Sequence, residues 1–116
     1  MSASKAPLLR LRHIRDELDW ILPTFRDVPF ESFASDIVQI RAVERGLLII
    51  SEAAKALPID MLEPYPEIEW HAVRSIGNLL RHEYERVEPR TLWRTVTVSL
   101  PRLSVVIDQM LVDQAK

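Results

Sequence analysis

Residues 33–57 read FASDIVQIRAVERGLLIISEAAKAL, and this stretch decides the fold. Its apolar side chains recur every three to four residues, the spacing that places them on one face of an α-helix. That face comprises Phe33, Ile37, Ile40, Val43, Leu47, Ile50, Ala54 and Leu57. The spacing predicts one long helix over 33–57 that ends at Pro58. Gly46 lies within it, where glycine costs about 1 kcal/mol relative to alanine, so we expect a close helix contact there.

Helical spacing also occurs on both sides of this stretch. Apolar residues at 8–22 form one helix face, and we expect Pro23 to stop that helix, because proline lacks the backbone N–H that helices require. A third helix is predicted over 67–82, with Pro66 in its first turn. Its predicted inner face consists of Ile68, Val73, Ile76 and Leu80.

The last part of the chain completes an all-α prediction. A fourth helix opens at Pro89, and we expect Pro101 to kink or restart it. No strand-like alternation of useful length occurs. The sequence therefore predicts an antiparallel bundle of four to five helices that forms a single domain over 1–116, with a flexible lead over 1–7.

Composition excludes several classes of function. The 116 residues include no cysteine and two glycines, so disulfides, thiolate metal sites and glycine-rich phosphate loops are excluded. The three histidines form no HExxH pattern, and we expect no bound metal or cofactor. Since neither a signal-peptide core nor an apolar run of membrane-spanning length occurs, we expect a cytoplasmic protein without a membrane partner.

Charge is unevenly distributed along the chain. The net charge is −2, but 70–102 holds six arginines against three glutamates, a local excess of three positive charges. Guanidinium groups suit phosphate recognition, although a preference for arginine over lysine also follows from a GC-rich genome. The sequence is compatible with a basic patch on a mildly acidic body.

The residues best suited to chemistry lie in GNLLRHEYERV at 77–87. Asn78 and His82 are four residues apart, so they share a helix face and the amide can hydrogen-bond the imidazole. Arg74 lies one turn earlier, while Arg81 and Tyr84 flank the histidine. An imidazole can move a proton at a ribose hydroxyl while an arginine offsets phosphate charge, which suffices to cleave RNA without a metal ion. The alternative is a polar helix end whose Arg81 and His82 interact with the helix dipole.

Other polar and aromatic residues near this segment are less specific. Trp70 and Trp93 flank it and could stack on bases, but we expect them to pack between helices. Glu52 and Lys55 lie in an apolar stretch. They either face a cleft or a second protomer, or form a surface ion pair.

Three segments carry a family resemblance: RHIRDELDWI at 12–21, SFASDIVQIRAVERGLLIISEAAKAL at 32–57, and PEIEWHAVRSIGNLLRHEYERVEPRTLWRTVTVSLPRL at 66–103. The chain resembles the HepT-like branch of the HEPN superfamily, ribonuclease toxins paired with MntA-type nucleotidyltransferase antitoxins. The most specific part is 66–93. The resemblance implies a small helical bundle that forms a homodimer with a cleft at the interface, and an active-site signature Arg-x4-His-x-Tyr.

Three positions carry over from that family pattern. His82 matches the histidine, Tyr84 the tyrosine, and Asn78 the asparagine that commonly follows the arginine. The resemblance implies that His82 is the acid/base of a metal-independent endoribonuclease acting on transfer or messenger RNA, and that Asn78 orients the reacting groups. It also implies that an MntA-like antitoxin silences the protein by attaching AMP to Tyr84.

The motif arginine does not carry over, because its position holds Gly77. Arg81 and Arg74 are the candidates to replace it, and we favour Arg81 because it adjoins the histidine. The competing hypothesis is a catalytically inactive HEPN module that binds a nucleotidyltransferase partner or a nucleotide. An enzyme requires His82 and an arginine to meet in an open, electropositive cleft, whereas a binding module allows the histidine to be packed away.

Overall fold

The computed structural model describes residues 5–116, with the side chains from residue 6 onward, and all of its regular elements there are helical. The α-helices are α1 (Lys5–Phe25), α2 (Phe30–Ala34), α3 (Ile37–Lys55), α4 (Ile59–Leu62), α5 (Trp70–His82), α6 (Pro89–Arg94) and α7 (Leu100–Gln114). A 3-10 turn spans Tyr84–Arg86, and a π-helical turn over Thr95–Ser99 joins α6 to α7. The predicted all-α bundle is confirmed.

The core forms where α1 packs against both α3 and α7. Each helix contributes an apolar face that is removed from water, and this burial is the main force that holds the helices together. The buried side chains include Leu11, Ile14, Leu18 and Ile21 of α1, Val43, Leu47 and Ile50 of α3, and Leu103, Val106, Ile107 and Met110 of α7. The helix α5 packs on α3, and its buried residue is Gly77.

The close contact expected at Gly46 is confirmed. A Cβ atom built there would lie 2.8 Å from Ile21 Cδ1 and 3.2 Å from Trp20 Cζ2. Both side chains belong to α1, so the small residue lets α1 and α3 approach one another.

The prediction that Pro23 ends the first helix is wrong, because α1 continues through it to Phe25. Proline here removes only one hydrogen bond, near a helix end where such bonds are already incomplete. Phe25 is buried and packs edge-on against Phe33 and Trp93, with ring centroids 5.5 and 6.1 Å away. This packing holds the last turn in place.

The single helix predicted over 33–57 is also wrong, since the chain breaks between α2 and α3. Asp36 is the N-cap of α3, and its side chain accepts hydrogen bonds from the backbone N–H groups of Val38 and Gln39 at 3.0 and 3.2 Å. Ser35 donates to the Glu31 carbonyl at the end of α2. Serine and aspartate favour such caps over helix interiors, and this preference overrides the apolar spacing.

The structure also locates the start of the third predicted helix, the described part of the N-terminal lead and the helix around Pro101. The third helix begins at Trp70 rather than at residue 67, so Pro66 lies in the preceding turn and not in the first helical turn. Of the predicted flexible lead, residues 5–7 form the start of α1, and 1–4 lie outside the described residues. The helix restarts beside Pro101 as expected, immediately after the π-helical turn.

The stretch Pro89–Gln114 is long and apolar enough to cross a membrane by length and composition alone, because an 18-residue window within it has a mean hydropathy of 1.3. The core helix of a globular domain meets the same criterion. This helix buries Leu92, Val96, Leu100, Leu103, Val106, Ile107 and Met110 in the bundle. Burial in the core accounts for part of its hydropathy, since 33% of the apolar window is buried.

The connector between α4 and α5 is tied to α7 by Tyr65. Its hydroxyl donates a hydrogen bond to the carboxylate of Asp113. This bond, with burial and the adjacent negative charge, raises the pKa of Tyr65 to about 12. The same hydrogen bond lowers the pKa of Asp113. Trp70 then fixes the start of α5 by donating to the Tyr65 carbonyl at 3.0 Å.

Candidate functional site

The helix that carries the candidate residues, α5, meets α3 through Gly77 and Ser51. Ser51 is fully buried. Its hydroxyl donates to the Arg74 carbonyl at 3.1 Å and accepts from the Gly77 N–H at 3.0 Å. The serine hydroxyl thus bonds directly to the backbone of α5, which fixes the distance and rotation of α5 relative to α3.

This contact explains the glycine at position 77. A Cβ atom there would lie 2.7 Å from Ser51 Oγ, 3.1 Å from Ser51 Cβ and 3.3 Å from Leu48 Cδ1. A side chain at 77 would therefore be directed into α3. Gly77 is a packing glycine like Gly46, and the position at which the sequence lacks the motif arginine is closed in this fold.

Five polar side chains join α3 to α5 next to that contact, and we call them the α3–α5 seam: Glu52 and Lys55 from α3, and Arg74, Asn78 and Arg81 from α5. Glu52 Oε2 is 2.7 Å from Arg81 Nη2 and 3.4 Å from Lys55 Nζ. Asn78 Oδ1 accepts from Lys55 Nζ at 2.9 Å and from Arg81 Nη2 at 3.4 Å. The Glu52–Lys55 ion pair that the sequence allowed is present, but within a larger network.

The seam carries more positive than negative charge. Lys55, Arg74 and Arg81 are cations, and Glu52 is its one carboxylate, so the five side chains carry a net charge of +2 when ionised. The Arg81 and Lys55 side chains are 43% and 31% exposed. A phosphate in solvent can therefore reach both, and guanidinium and ammonium groups are the usual partners of phosphate oxygens.

The two candidate arginines differ in accessibility. Arg74 is half-buried, its Nη2 donates to the Lys55 carbonyl at 3.3 Å, and its Nε is buried without a hydrogen-bond partner. Its guanidinium thus lies against the C-terminal end of α3. Arg81 is exposed and bound only through side chains. Of the two guanidinium groups, that of Arg81 is therefore the more accessible to solvent.

His82 is the last residue of α5 and is exposed. It lines a shallow open groove on α5 together with Asn78, Ser75 and Leu79. The hydrogen bond expected between Asn78 and His82 is not formed among the described residues. The Asn78 oxygen instead accepts from Lys55 and Arg81. Asn78 nevertheless borders both the seam and the groove, so it lies between the cations and the imidazole.

Tyr84 follows the end of α5, in the 3-10 turn Tyr84–Arg86. Its side chain is 64% exposed. Tyr84 is therefore not part of the bundle core. The turn places the phenol two residues beyond the imidazole of His82.

The tryptophans near the motif have packing roles, as expected. Trp93 is half-buried, with its ring centroid 5.0 Å from that of Phe33. Trp70 is half-buried and packs against the core while it hydrogen-bonds Tyr65. Among the described residues, no three His, Asp or Glu side chains lie close enough together to hold a metal ion.

Sequence reasoning missed the importance of Ser51. The available signal was a lone serine among apolar residues on the inner face of the long helix, where a buried hydroxyl must find a hydrogen-bond partner. Its partner is the backbone of α5, 23 to 26 residues further along the chain. That partner cannot be identified without the tertiary contact.

Comparison with known proteins finds similarity along most of the chain. The family model described as "Ribonuclease HepT-like" matches residues 14–110. The chain is 33% identical over 107 residues to "Putative RNase TTE0752" of Caldanaerobacter subterraneus subsp. tengcongensis, covering 92% of this chain and 96% of that protein. It is 37% identical over 93 residues to "Probable ribonuclease HepT" of Thermococcus cleftensis, covering 80% and 84%. It is 28% identical over 103 residues to "Putative RNase MJ0127" of Methanocaldococcus jannaschii, covering 89% and 82%. No solved structure matches the chain.

Proposed function

Because the chain belongs to the HepT-like family of the HEPN superfamily, we propose that it is an endoribonuclease that cleaves RNA without a metal ion. The observation that carries this proposal is the exposed His82 beside a seam that contains three cations and one carboxylate, of which Arg81 and Lys55 pair with that carboxylate. An open imidazole next to surplus positive charge is what an RNA phosphodiester requires. The names of the relatives support RNA as the substrate class.

In the proposed reaction the imidazole of His82 takes the proton from a ribose 2′-hydroxyl. The 2′-oxygen attacks the adjacent phosphorus and the bond from phosphorus to the 5′-oxygen breaks. The products are a 2′,3′-cyclic phosphate and a 5′-hydroxyl, whose proton comes from solvent or from the imidazolium. Arg81 offsets the charge that develops on the phosphate oxygens. Asn78 orients Arg81, in agreement with their contact at 3.4 Å.

The proposed biological role, oligomeric state and regulation follow the family resemblance. The chain is the toxin of a toxin–antitoxin pair in the cytoplasm, acts on transfer or messenger RNA, and forms a homodimer. An MntA-like nucleotidyltransferase silences it by transferring AMP to Tyr84. The 64% exposure of this phenol and its position just beyond His82 support such a role, since a bulky anion there would obstruct an approaching RNA.

Cleavage by the purified chain tests the proposal. We expect His82→Ala to lower the rate of RNA cleavage by about 10²- to 10⁴-fold, the usual contribution of a general acid or base. His71→Ala is the matched control, because His71 is an exposed histidine on the same helix. It should cleave like the unmodified protein, with or without a chelator. Equal rates for the two variants would contradict the assignment of His82.

The inactive-module hypothesis keeps one observation in its favour, namely that the packing of Gly77 leaves no room for the motif arginine. Under this hypothesis the chain binds the nucleotidyltransferase but neither cleaves RNA nor slows growth when expressed alone.

Intact-mass measurement after co-expression with the nucleotidyltransferase tests the proposed transfer of AMP to Tyr84. We expect one AMP adduct that Tyr84→Phe removes and Tyr65→Phe, at the other tyrosine of the chain, retains. An adduct that survives Tyr84→Phe would refute the acceptor assignment.

A further inference from the structure

The carboxylate of Glu52 lies between two cations of the α3–α5 seam. Its Oε2 atom is 2.7 Å from Arg81 Nη2 and 3.4 Å from Lys55 Nζ. We propose that Glu52 is an internal counter-ion, which holds Arg81 and Lys55 at the phosphate site of the free protein and is replaced there by an RNA phosphate. This inference rests on the proposed function, since it takes the seam as the surface that binds RNA.

The exposure of the three side chains makes such an exchange easy. Glu52 and Arg81 are 45% and 43% exposed, and Lys55 is 31% exposed. Ion pairs at this exposure are weak, because water screens them and both side chains lose conformational freedom. A phosphate group offers more acceptor oxygens than one carboxylate and matches the planar fork of arginine. RNA phosphate can therefore compete with Glu52 for the same two cations.

Asn78 keeps the cations together during the exchange. Its Oδ1 accepts from Lys55 Nζ at 2.9 Å and from Arg81 Nη2 at 3.4 Å. This amide oxygen carries no net charge, so it holds the two groups without repelling a phosphate. When the carboxylate moves away, Arg81 and Lys55 still share one acceptor. Lys55 is thus assigned as a phosphate-binding residue, and Glu52 as a positioning residue that acts through Arg81 and Lys55.

Glu52 also limits the affinity for RNA. Once displaced, its negative charge stays near the bound phosphate and repels it, because the side chain is anchored on α3. Removing this charge while keeping the shape of the side chain should strengthen binding. At a separation of about 5 Å in a solvent-exposed site, a unit charge changes affinity by about three- to fivefold.

The experiment measures the binding of a fluorescein-labelled single-stranded RNA in which every 2′-hydroxyl is methylated, so that cleavage cannot occur. The full chain is titrated at several salt concentrations. We expect Glu52→Gln to bind about three- to fivefold more tightly than the unmodified protein. Its plot of log affinity against log salt should be steeper by about 0.7, the increment for one further phosphate contact on a single strand.

Glu44→Gln is the matched control, because Glu44 lies on the same helix and pairs with Arg41 at 2.9 Å. Both substitutions change the net charge equally, so a long-range charge effect would alter both variants alike. A structural role of Glu52 would change the unfolding midpoint without changing the salt slope. The proposal is overturned if Glu52→Gln matches Glu44→Gln, or if it binds RNA more weakly than the unmodified chain.

Lys55→Gln provides an independent test. We expect about threefold weaker binding and a salt slope shallower by about 0.7, whereas Arg41→Gln on the same helix should leave the slope unchanged. If Lys55→Gln and Arg41→Gln have the same affinity for RNA and the same salt slope, Lys55 is not a phosphate ligand and the proposal fails. Because the probe cannot be cleaved, these results are independent of the cleavage assay. If the chain does not cleave RNA but Glu52→Gln binds it more tightly, the proposed nuclease activity is refuted and the counter-ion role of Glu52 is not.

Discussion

Replacing Gly77 by alanine measures how tightly α5 is held on α3. The added Cβ would lie 2.7 Å from Ser51 Oγ and 3.1 Å from Ser51 Cβ. Overpacking a core typically costs about 1–3 kcal/mol. Ser51 is fully buried and its hydroxyl makes two hydrogen bonds to α5, so it cannot turn away without breaking them. The steric cost should therefore lie in the upper half of that range.

Alanine also brings a gain, because it is a better helix former than glycine by about 1 kcal/mol. Subtracting this gain leaves an expected loss of about 1–2 kcal/mol in the free energy of unfolding. Gly46→Ala is the matched control, since both glycines are buried in the middle of helices. There the nearest atoms are Ile21 Cδ1 and Trp20 Cζ2, which are distal atoms of long side chains and can shift. We expect Gly46→Ala to cost less than Gly77→Ala by about 1 kcal/mol.

Urea unfolding followed by circular dichroism gives both values, at one protein concentration so that any association affects the variants equally. The dependence of the unfolding free energy on urea should be the same for both variants and the unmodified chain. A Gly77→Ala variant as stable as the unmodified chain would refute the packing role of Gly77. A Gly46→Ala variant that loses as much stability as Gly77→Ala would refute the argument that Ile21 and Trp20 can shift where Ser51 cannot.

Three further predictions follow from individual residues. Gly77→Arg should destabilise the protein more than alanine does and should not raise the rate of RNA cleavage, because the side chain is directed into α3; a variant that folds and cleaves faster would contradict this. Asp36→Ala should lower the free energy of unfolding by about 1 kcal/mol through loss of the N-cap of α3, measured by urea unfolding; an unchanged midpoint would show that the cap contributes nothing. In Tyr84→Phe, absorbance at alkaline pH reports Tyr65 alone and should show ionisation at about 12 rather than 10.0, with circular dichroism as the check that the chain is folded. Because the folded pKa is raised, the stabilisation from the bond to Asp113 is complete below pH 10 and lost as the pH rises toward 12; a stability difference between Tyr65→Phe and the unmodified chain that persists to pH 12 would contradict this.

Sequence patterns predicted the fold class because apolar spacing reports helical faces directly. The same spacing misplaced the break near Asp36, since Phe33 and Ile40 are both buried although they belong to different helices. Apolar periodicity records which residues reach the core, and it is insensitive to one interruption of the backbone. Helix ends are decided by capping bonds and by side-chain packing, as at Asp36 and Phe25.

The candidate site likewise has one part that the sequence predicted and one part that it did not. Asn78, Arg81 and His82 could be grouped from the sequence, because helix geometry alone fixes which residues three or four apart are neighbours. The contributions of α3 could not, because Glu52 and Lys55 meet α5 across 23 to 29 residues of chain. Their positions depend on how two helix surfaces pack.

The amino-acid sequence by itself determined that the chain is helical, which residues form the core faces, and that His82, Asn78 and Arg81 are neighbours, since these properties arise within single helices. Only the tertiary structure decided the meaning of Gly77. In the sequence it marks a missing arginine, whereas in the fold it is the contact that lets α5 bond to Ser51. Only that contact brings Glu52 and Lys55 to Arg81, because the separation and rotation of two helices depend on side chains that are distant along the chain.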